Sequence, residues 1–450
     1  MRKLFGTDGI RAVAGEAPLD VKTIYAVGLA LAHQLRQDTG QPELILGMDT
    51  RESSEWIAAV LAAGLEKGGA SVVSAGVITT PAIAFLARKH HFTAGVVISA
   101  SHNPWHDNGI KVFGGDGYKL PDEVELRIEE EIFRQLESVE APDATVLVPP
   151  QAEPRFRTEY EEFLLSAAPG LKFGDLKLVL DCGNGAASAI APQLFAQLGG
   201  TVKLTHIQPD GRNINDNCGA LYPATVAAET KATQSDIGVT FDGDADRALF
   251  ADAQGRVVNG DAILLLAARD LKSRGMLKGD MVVATTMSNM GLEAALKRGG
   301  IKMLRAPVGD KYVLEMMRAN SASLGGEQSG HILFPHLATT GDGLLTSLVL
   351  LDIVRRSGKA LDELLQDLKT FPQVIVNVRV KEKKPLLEIA PIADTIHAAE
   401  AELNGNGRVV VRYSGTEPLA RVMIEAESEE AMRRHADAIA NAIREELGAA

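Results

Sequence analysis

Ile237-Gly238-Val239-Thr240-Phe241-Asp242-Gly243-Asp244-Ala245-Asp246-Arg247 is an apolar run that breaks abruptly into a polar, glycine-containing segment. A short apolar run bounded by turn residues reads as a buried strand. The same change occurs where Ala94 to Ile98 runs into Ser99-Ala100-Ser101-His102-Asn103-Pro104. Outward from these runs, strand-like and amphipathic stretches alternate. Glu43-Leu44-Ile45-Leu46-Gly47-Met48 reads as a buried strand, and Trp56, Ile57, Val60, Leu61 and Leu65 fall at helical spacing between Ser54 and Lys67. That alternation is the pattern of α/β layers.

The pattern repeats in architecture rather than in text. Lys177-Leu178-Val179-Leu180-Asp181 reads as a strand, and the glycines of Cys182-Gly183-Asn184-Gly185 turn the chain into a helix expected over Ala186 to Leu198. Gly255-Arg256-Val257-Val258 reads as the strand that opens a third unit, which runs through Met281-Val282-Val283-Ala284 to Gly325-Gly326-Glu327-Gln328-Ser329-Gly330-His331. The proline-rich stretch Val148 to Pro154 and the pair Phe371-Pro372 mark boundaries. The alternating Val374, Val376, Val378 and Val380, a helical stretch, and Arg408 to Val411 read as a small α+β tail. The expectation is three similar mixed α/β domains plus a C-terminal α+β domain around a central cleft. Their bounds are 1–152, 153–253, 254–370 and 371–450. In open α/β sheets ligands sit at loops beyond the carboxyl ends of strands, so the polar loops are the candidate site.

Bulk properties narrow the partners. A chain of 450 residues exceeds one ordinary core. A net charge of −13 argues against nucleic acid or an anionic membrane as the main partner. The longest apolar run, around Ile263 to Ala268, is far short of the roughly 20 residues a membrane span needs. The start of the chain lacks the apolar core of a signal peptide. Cys182 and Cys218 form no C-x-x-C pair, so neither a disulfide framework nor a zinc site is expected, and a cytoplasmic location is.

The loops carry the chemistry. Asp242, Asp244 and Asp246 alternate, which points three carboxylates the same way and suits the oxygen-only preference of Mg²⁺. A calcium EF-hand would need glycine and glutamate where Arg247 and Ala253 stand, and a solvated acidic turn remains the plain alternative. Ser101 is not in a G-x-S-x-G elbow, and it and Asn103 could simply cap a turn stiffened by Pro104. Beside a magnesium site, a phosphorylated Ser101 is the better reading, because a divalent cation offsets the phosphate charge. Lys111 could supply a positive partner or a general acid/base, though a lone lysine more often faces solvent. Glu327, Ser329 and His331 offer acceptors and donors to hydroxyls. In Arg412-Tyr413-Ser414-Gly415-Thr416, glycine between hydroxyls lets backbone N–H groups approach an anion, with Arg412 and Arg421 as bidentate clamps. Arg421, read as an edge-strand arginine, carries less weight than Arg412. The Lys381-Glu382-Lys383-Lys384 run is assigned no role.

Taken together, Phe5-Gly6-Thr7-Asp8-Gly9-Ile10-Arg11 and the Ser101, Asp242, Glu327 and Arg412 loops, in this order, resemble the α-D-phosphohexomutase family over essentially the whole chain. The resemblance implies a phosphoserine at Ser101 and one Mg²⁺ held by Asp242, Asp244, Asp246 and a phosphate oxygen on that serine. It implies catalytic roles for Ser101, Lys111, His102 and Arg247. It also implies substrate contacts from Arg11, Glu327, Ser329, His331, Arg412, Ser414, Gly415, Thr416 and Arg421. Gln328 in the glutamate loop is similar to the glucosamine-type members. The implied reaction interconverts glucosamine 6-phosphate and glucosamine 1-phosphate through a sugar 1,6-bisphosphate, which also serves as primer, on the way to UDP-N-acetylglucosamine. Lys111, His102 and His331 are the general-base candidates. A phosphomannomutase/phosphoglucomutase of the same family is the alternative, and a non-catalytic sugar-phosphate sensor the remote one. A homodimer is left open. Ala12 and Trp105-His106 depart from the usual pattern and bear on loop geometry only.

Overall fold

The computed structural model describes residues 4–6, 8–404, 407–414 and 418–448. Two compact units emerge. The first holds the chain up to Met287 together with Gly300–Gln366, and the second holds Ser288–Gly299 and the chain from Asp367 on.

The first unit contains three sheets of one design. β1 (Ile10–Val13), β2 (Glu43–Met48), β3 (Ser71–Val77), β4 (Ala94–Ile98) and β5 (Asp107–Gly114) lie in the order β1-β5-β4-β2-β3. β2 runs parallel to β3 and β4, whereas β5 is antiparallel to β4 and β1. β6 (Lys177–Asp181), β7 (Thr201–Thr205), β8 (Ile237–Phe241), β9 (Ala248–Asp252) and β10 (Val257–Val258) repeat this arrangement in the order β10-β9-β8-β6-β7. β11 (Met281–Thr285), β12 (Lys302–Ala306), β13 (Gly325–Gly326) and β14 (Ile332–Leu333) form a shorter version in the order β12-β11-β13-β14. In each sheet one turn joins the last parallel strand to its antiparallel neighbour. Those three turns are the Ser101, Asp242 and Glu327 loops, so the repeat seen in the sequence is a repeat of position in the sheet.

Burial explains the strand composition. Every residue of β4, β8 and β9 is buried, which matches near-continuous apolar runs rather than alternation. The helix Ser54–Lys67 buries Ile57, Val60, Leu61 and Leu65 in one core with Leu44, Leu46, Val96, Ile98 and Ile110. It lies against the helix Val21–Thr39 at a crossing where only glycines fit. A Cβ on Gly64 would sit 2.4 Å from the Tyr25 carbonyl oxygen, and one on Gly28 would sit 2.5 Å from that of Leu61.

Two elements differ from the sequence reading. Val257–Val258 does not open the third unit, because it pairs antiparallel with Phe250 and Ala251 as the edge of the second sheet. The helix expected over Ala186–Leu198 is a 3₁₀ turn, Ala186–Ala189, followed by a short helix, Ala191–Ala196. Pro192 has no N–H to continue the first segment.

In the second unit, β15 (Gln373–Arg379), β16 (Gly407–Tyr413) and β17 (Leu419–Ala426) form an antiparallel sheet in the order β15-β17-β16. Val378, Val422 and Ile424 share a core with Ile392, Ile396, Ile439 and Ile443 of the helices Ala390–Leu403 and Glu429–Leu447. The helix Met290–Arg298 belongs here as well. Its cap residue Asn289 accepts from Gly291 N–H and Phe371 N–H through its side-chain oxygen and donates to Phe371 O. Among the described residues, no helix is long and apolar enough to cross a membrane.

Candidate active site

Ser101 follows β4 with φ of 53°, in the left-handed region that non-glycine residues rarely adopt, and is 1% exposed. Its N–H donates to Ser99 Oγ at 2.9 Å, and its hydroxyl donates to Asp242 Oδ2 at 2.7 Å. The three aspartates that follow β8 are all buried, and their carboxylate oxygens lie within 4.8 Å of one another. Arg247 N–H donates to Asp242 Oδ1 at 3.2 Å, which closes the loop. Gly243 is required by close approach, since a Cβ there would lie 2.4 Å from the Ser101 carbonyl oxygen.

Burial and the neighbouring Asp246 and Asp244 charges push the Asp242 carboxyl well above the usual carboxylate range. Asp244 Oδ1 and Asp246 Oδ1 are buried without a hydrogen-bond partner. Orphaned oxygens in a buried cluster of three carboxylates beside a serine hydroxyl fit a hard divalent cation.

Lys111, on β5, is buried rather than solvent-facing, at 2% exposure. Its Nζ lies 2.7 Å from Asp244 Oδ2, 2.9 Å from Asp8 Oδ2 and 3.8 Å from Asp246 Oδ2. Burial opposes its charge, but those three carboxylates outweigh burial and hold its pKa far above that of an ordinary lysine. Asp8 also pairs with Arg11 and, at 2.6 Å, with Lys119, which bridges to Asp310 at 2.6 Å. Against the cost of burial, Lys111, Lys119 and Arg11 keep Asp8 well below the usual carboxylate range.

Asp8, Lys119, Asp246 and Asp310 line a cavity of about 550 Å³ together with Arg11, His102, Arg247, Glu327, Ser329 and His331 among others. Arg11 Nη1 donates to Ala100 O at 3.2 Å. His102 Nδ1 lies 3.4 Å from Ser101 Oγ and 3.4 Å from Arg247 Nη1. Burial and the Arg247 and Arg11 charges depress its pKa to about 4, so it is uncharged at neutral pH. Arg247 stands 3.7 Å from Asp246 Oδ1 and 4.0 Å from Asp242 Oδ2. Glu327 Oε1 accepts from Gly309 N–H at 3.1 Å. Ser329 is exposed toward the cavity, whereas Gln328 turns away from it and donates to Asp261 Oδ2 at 3.1 Å. His331 Nε2 accepts from Gly341 N–H at 3.2 Å, which leaves Nδ1 3.7 Å from Asp246 Oδ1. Burial works against its protonation, but Asp246 and Asp310 raise its pKa.

In the second unit, Arg412 and Arg421 are directly paired on adjacent strands. The expectation for Arg421 is corrected, because β17 is the central strand and Arg421 is half-buried, while Arg412 is exposed on the edge strand β16. Ser414 is buried, and its carbonyl accepts from Lys383 Nζ at 2.7 Å. Lys383 therefore has a partner that its surface-like context concealed. Gly415 and Thr416 lie outside the described residues.

Sequence reasoning missed Asp310 and Lys119 as cavity residues and Arg51 and Asn215 as supports of the serine loop. Asp8 lies inside the Phe5 to Arg11 motif. The other four stand in no run that marks them, because each reaches the site through a partner distant in sequence.

Profiles of the phosphoglucomutase/phosphomannomutase alpha/beta/alpha domains I, II and III match residues 2–138, 159–255 and 259–371, and that of the C-terminal domain matches 375–442. A phosphoglucosamine mutase of Koribacter versatilis is 58% identical, with 100% of this chain and 98% of that protein covered. A phosphoglucomutase/phosphomannomutase family protein from Burkholderia thailandensis superposes with a TM-score of 0.78 at 25% identity, covering 98% of this chain and 99% of the other. The fold is also that of Aspergillus fumigatus N-acetylphosphoglucosamine mutase solved with GlcNAc-6P and magnesium, with a TM-score of 0.63 at 21% identity and coverage of 98% and 96%.

Proposed function

Because the chain belongs to the phosphoglucomutase/phosphomannomutase family, we propose that it interconverts glucosamine 6-phosphate and glucosamine 1-phosphate through a phosphorylated Ser101 and a 1,6-bisphosphate. The observation that carries the reading is the 2.7 Å bond between Ser101 Oγ and Asp242, inside a cluster of three buried carboxylates of which Asp246 lines the cavity. The amino-sugar assignment rests on the 58% identical phosphoglucosamine mutase.

The residues divide the work among them. The hydroxyl of the bound sugar attacks the phosphorus on Ser101 as the bond from phosphorus to Ser101 Oγ breaks. The sugar hydroxyl loses one proton and Oγ gains one, so the transfer is neutral overall. His102, uncharged and 3.4 Å from Oγ, is the group suited to carry that proton. Lys111 is pinned by carboxylates, so it serves as fixed positive charge rather than as base. Arg247 and Arg11 face the phosphoryl oxygens, and Glu327, Ser329 and His331 face the sugar hydroxyls. Arg412 and Arg421, paired across adjacent strands of the second unit, offer two guanidinium groups to a phosphate. A magnesium ion held by Asp242, Asp244, Asp246 and an oxygen on Ser101 would supply the charge that offsets a loose phosphoryl transition state. Both cysteines are buried thiols, which suits a reducing cytoplasm.

The test compares kcat/KM for the 6-phosphates of glucosamine, glucose and mannose, with Mg²⁺ and the matching bisphosphate. A preference of a hundredfold or more for glucosamine, about 2.7 kcal/mol in transition-state binding, supports the assignment. Equal turnover of glucose or mannose would leave the mutase chemistry and overturn the amino-sugar substrate.

A further inference from the structure

Two donors from different sheets converge on one carbonyl oxygen. Arg51 Nη2 donates to Ser101 O at 3.0 Å and to Asn103 O at 2.6 Å. Asn215 Nδ2 donates to the same two atoms at 2.9 and 3.2 Å. Arg51 follows β2, whereas Asn215 lies between β7 and β8, so the serine loop is gripped from both sheets.

Each donor is itself fixed. Arg51 is 2% exposed and ion-paired with Asp49, which is equally buried. Asp49 Oδ1 in turn accepts from Arg51 N–H and Ser54 Oγ, both at 3.0 Å. Asn215 is buried, and its N–H donates to Gly183 O at 2.9 Å. The surrounding loops dock as one body, with Arg212 meeting Glu52 bidentately at 2.8 and 2.9 Å and Thr50 Oγ1 donating to Asn184 O at 2.6 Å. The Asp242 loop presses on the same spot, since a Cβ on Gly243 would lie 2.4 Å from Ser101 O and 3.0 Å from Asn215 Nδ2.

We infer that Arg51 and Asn215 clamp the Ser101 carbonyl so that its hydroxyl stays aligned on Asp242, and that this grip decides whether a phosphoryl group on Ser101 passes to sugar or is lost to water. A serine held at φ of 53° is strained and persists only where its surroundings over-determine it. Four hydrogen bonds to the carbonyls of Ser101 and Asn103 are such a determination. Both act on backbone carbonyls of the loop rather than on the Ser101 hydroxyl, so both are positioning residues. A displacement of about 1 Å at a reacting atom can cost on the order of a hundredfold in rate. Loosening the loop slows transfer to the aligned sugar more than it slows attack by water, which can approach from several directions. In that hydrolysis water forms the new bond to phosphorus, the bond to Oγ breaks, and inorganic phosphate leaves while a proton returns to Oγ.

The inference rests on the reading that Ser101 carries the phosphoryl group. Full-length phosphorylated wild type, Asn215→Ala and Arg51→Lys are compared for kcat, KM and the rate at which intact mass loses one phosphoryl group without sugar. The expected result is kcat lower by about tenfold or more at nearly unchanged KM, with the ratio of transfer to hydrolysis falling by a similar factor. That ratio is counted per phosphorylated enzyme, so partial unfolding does not move it. If Arg51→Lys does not fold, Asn215→Ala decides alone. A ratio within about twofold of wild type overturns the clamp while leaving the proposed reaction intact. A wild type that never carries phosphate on Ser101 overturns that reaction and the clamp with it.

Discussion

Ser101 and Asp242, 141 positions apart in the chain, are joined by a 2.7 Å hydrogen bond from the serine hydroxyl to the aspartate Oδ2. The two residues occupy equivalent turns of two sheets, each at the step from the last parallel strand to its antiparallel neighbour. Doubling a simple α/β unit thus brings a hydroxyl to face a carboxylate cluster, with no long excursion of the chain.

Removing that hydroxyl tests its role directly. Ser101→Ala is expected to carry no phosphoryl group by intact mass and to lose turnover by about 10⁴ or more, with its thermal midpoint near that of wild type. Wild-type turnover in this variant would exclude Ser101 as the phosphoryl carrier.

Cation binding has a thermal readout independent of activity. Magnesium at about a hundred times its Kd should stabilise the fold by about 2.7 kcal/mol, seen as a rise in the first unfolding transition that chelator reverses. Asp244→Asn is expected to weaken that rise, because Asp244 Oδ1 is one of the two orphaned oxygens in the cluster. A rise as large in Asp244→Asn as in wild type would place the cation elsewhere.

Lys111→Met is expected to be among the most damaging single changes outside the apolar cores. It leaves Asp244 and Asp8 facing one another's charge without the ammonium now 2.7 and 2.9 Å away, a loss of about 3–5 kcal/mol. Denaturant unfolding would measure it, and a cost below about 1 kcal/mol would contradict the fixed-charge role.

Asp342 gives stability a pH dependence of defined sign. Burial pushes its carboxyl up to about 6 although it accepts from Leu345 N–H at 2.9 Å and Tyr160 OH at 2.7 Å. A carboxyl raised on folding favours the folded state while protonated, so its stabilisation is complete below about pH 4 and is lost as pH rises through about 6. Asp342→Asn removes that loss. Its stability relative to wild type should increase by about 3 kcal/mol between pH 4 and pH 7, measured by denaturant midpoints. A difference that stays flat across that range would show that Asp342 titrates normally in the fold.

Much of this arrangement was legible in the chain. The Ser54–Lys67 helix was readable because Ile57, Leu61 and Leu65 recur at helical spacing, and the structure buries those side chains. Val257–Val258 was misassigned because a two-residue apolar run carries no information about its pairing partner, and only the register with Phe250 and Ala251 attaches it to the second sheet. Arg421 was discounted because strand order is invisible locally, and whether β17 is central or at an edge depends on β15.

The sequence by itself determined the α/β repeat, the order of the polar loops and the alternation of Asp242, Asp244 and Asp246, because apolar periodicity and turn residues act over a few positions. Only the tertiary structure decided which of these groups meet. Lys111 becomes a buried cation because Asp8 and Asp244 arrive from distant parts of the chain, and Gln328 leaves the cavity because Asp261 offers it an acceptor. Likewise Ser101 holds a left-handed backbone because Arg51 and Asn215 close on its carbonyl. Charge state and direction depend on neighbours within a few ångströms, and in a folded chain those neighbours come from anywhere along it.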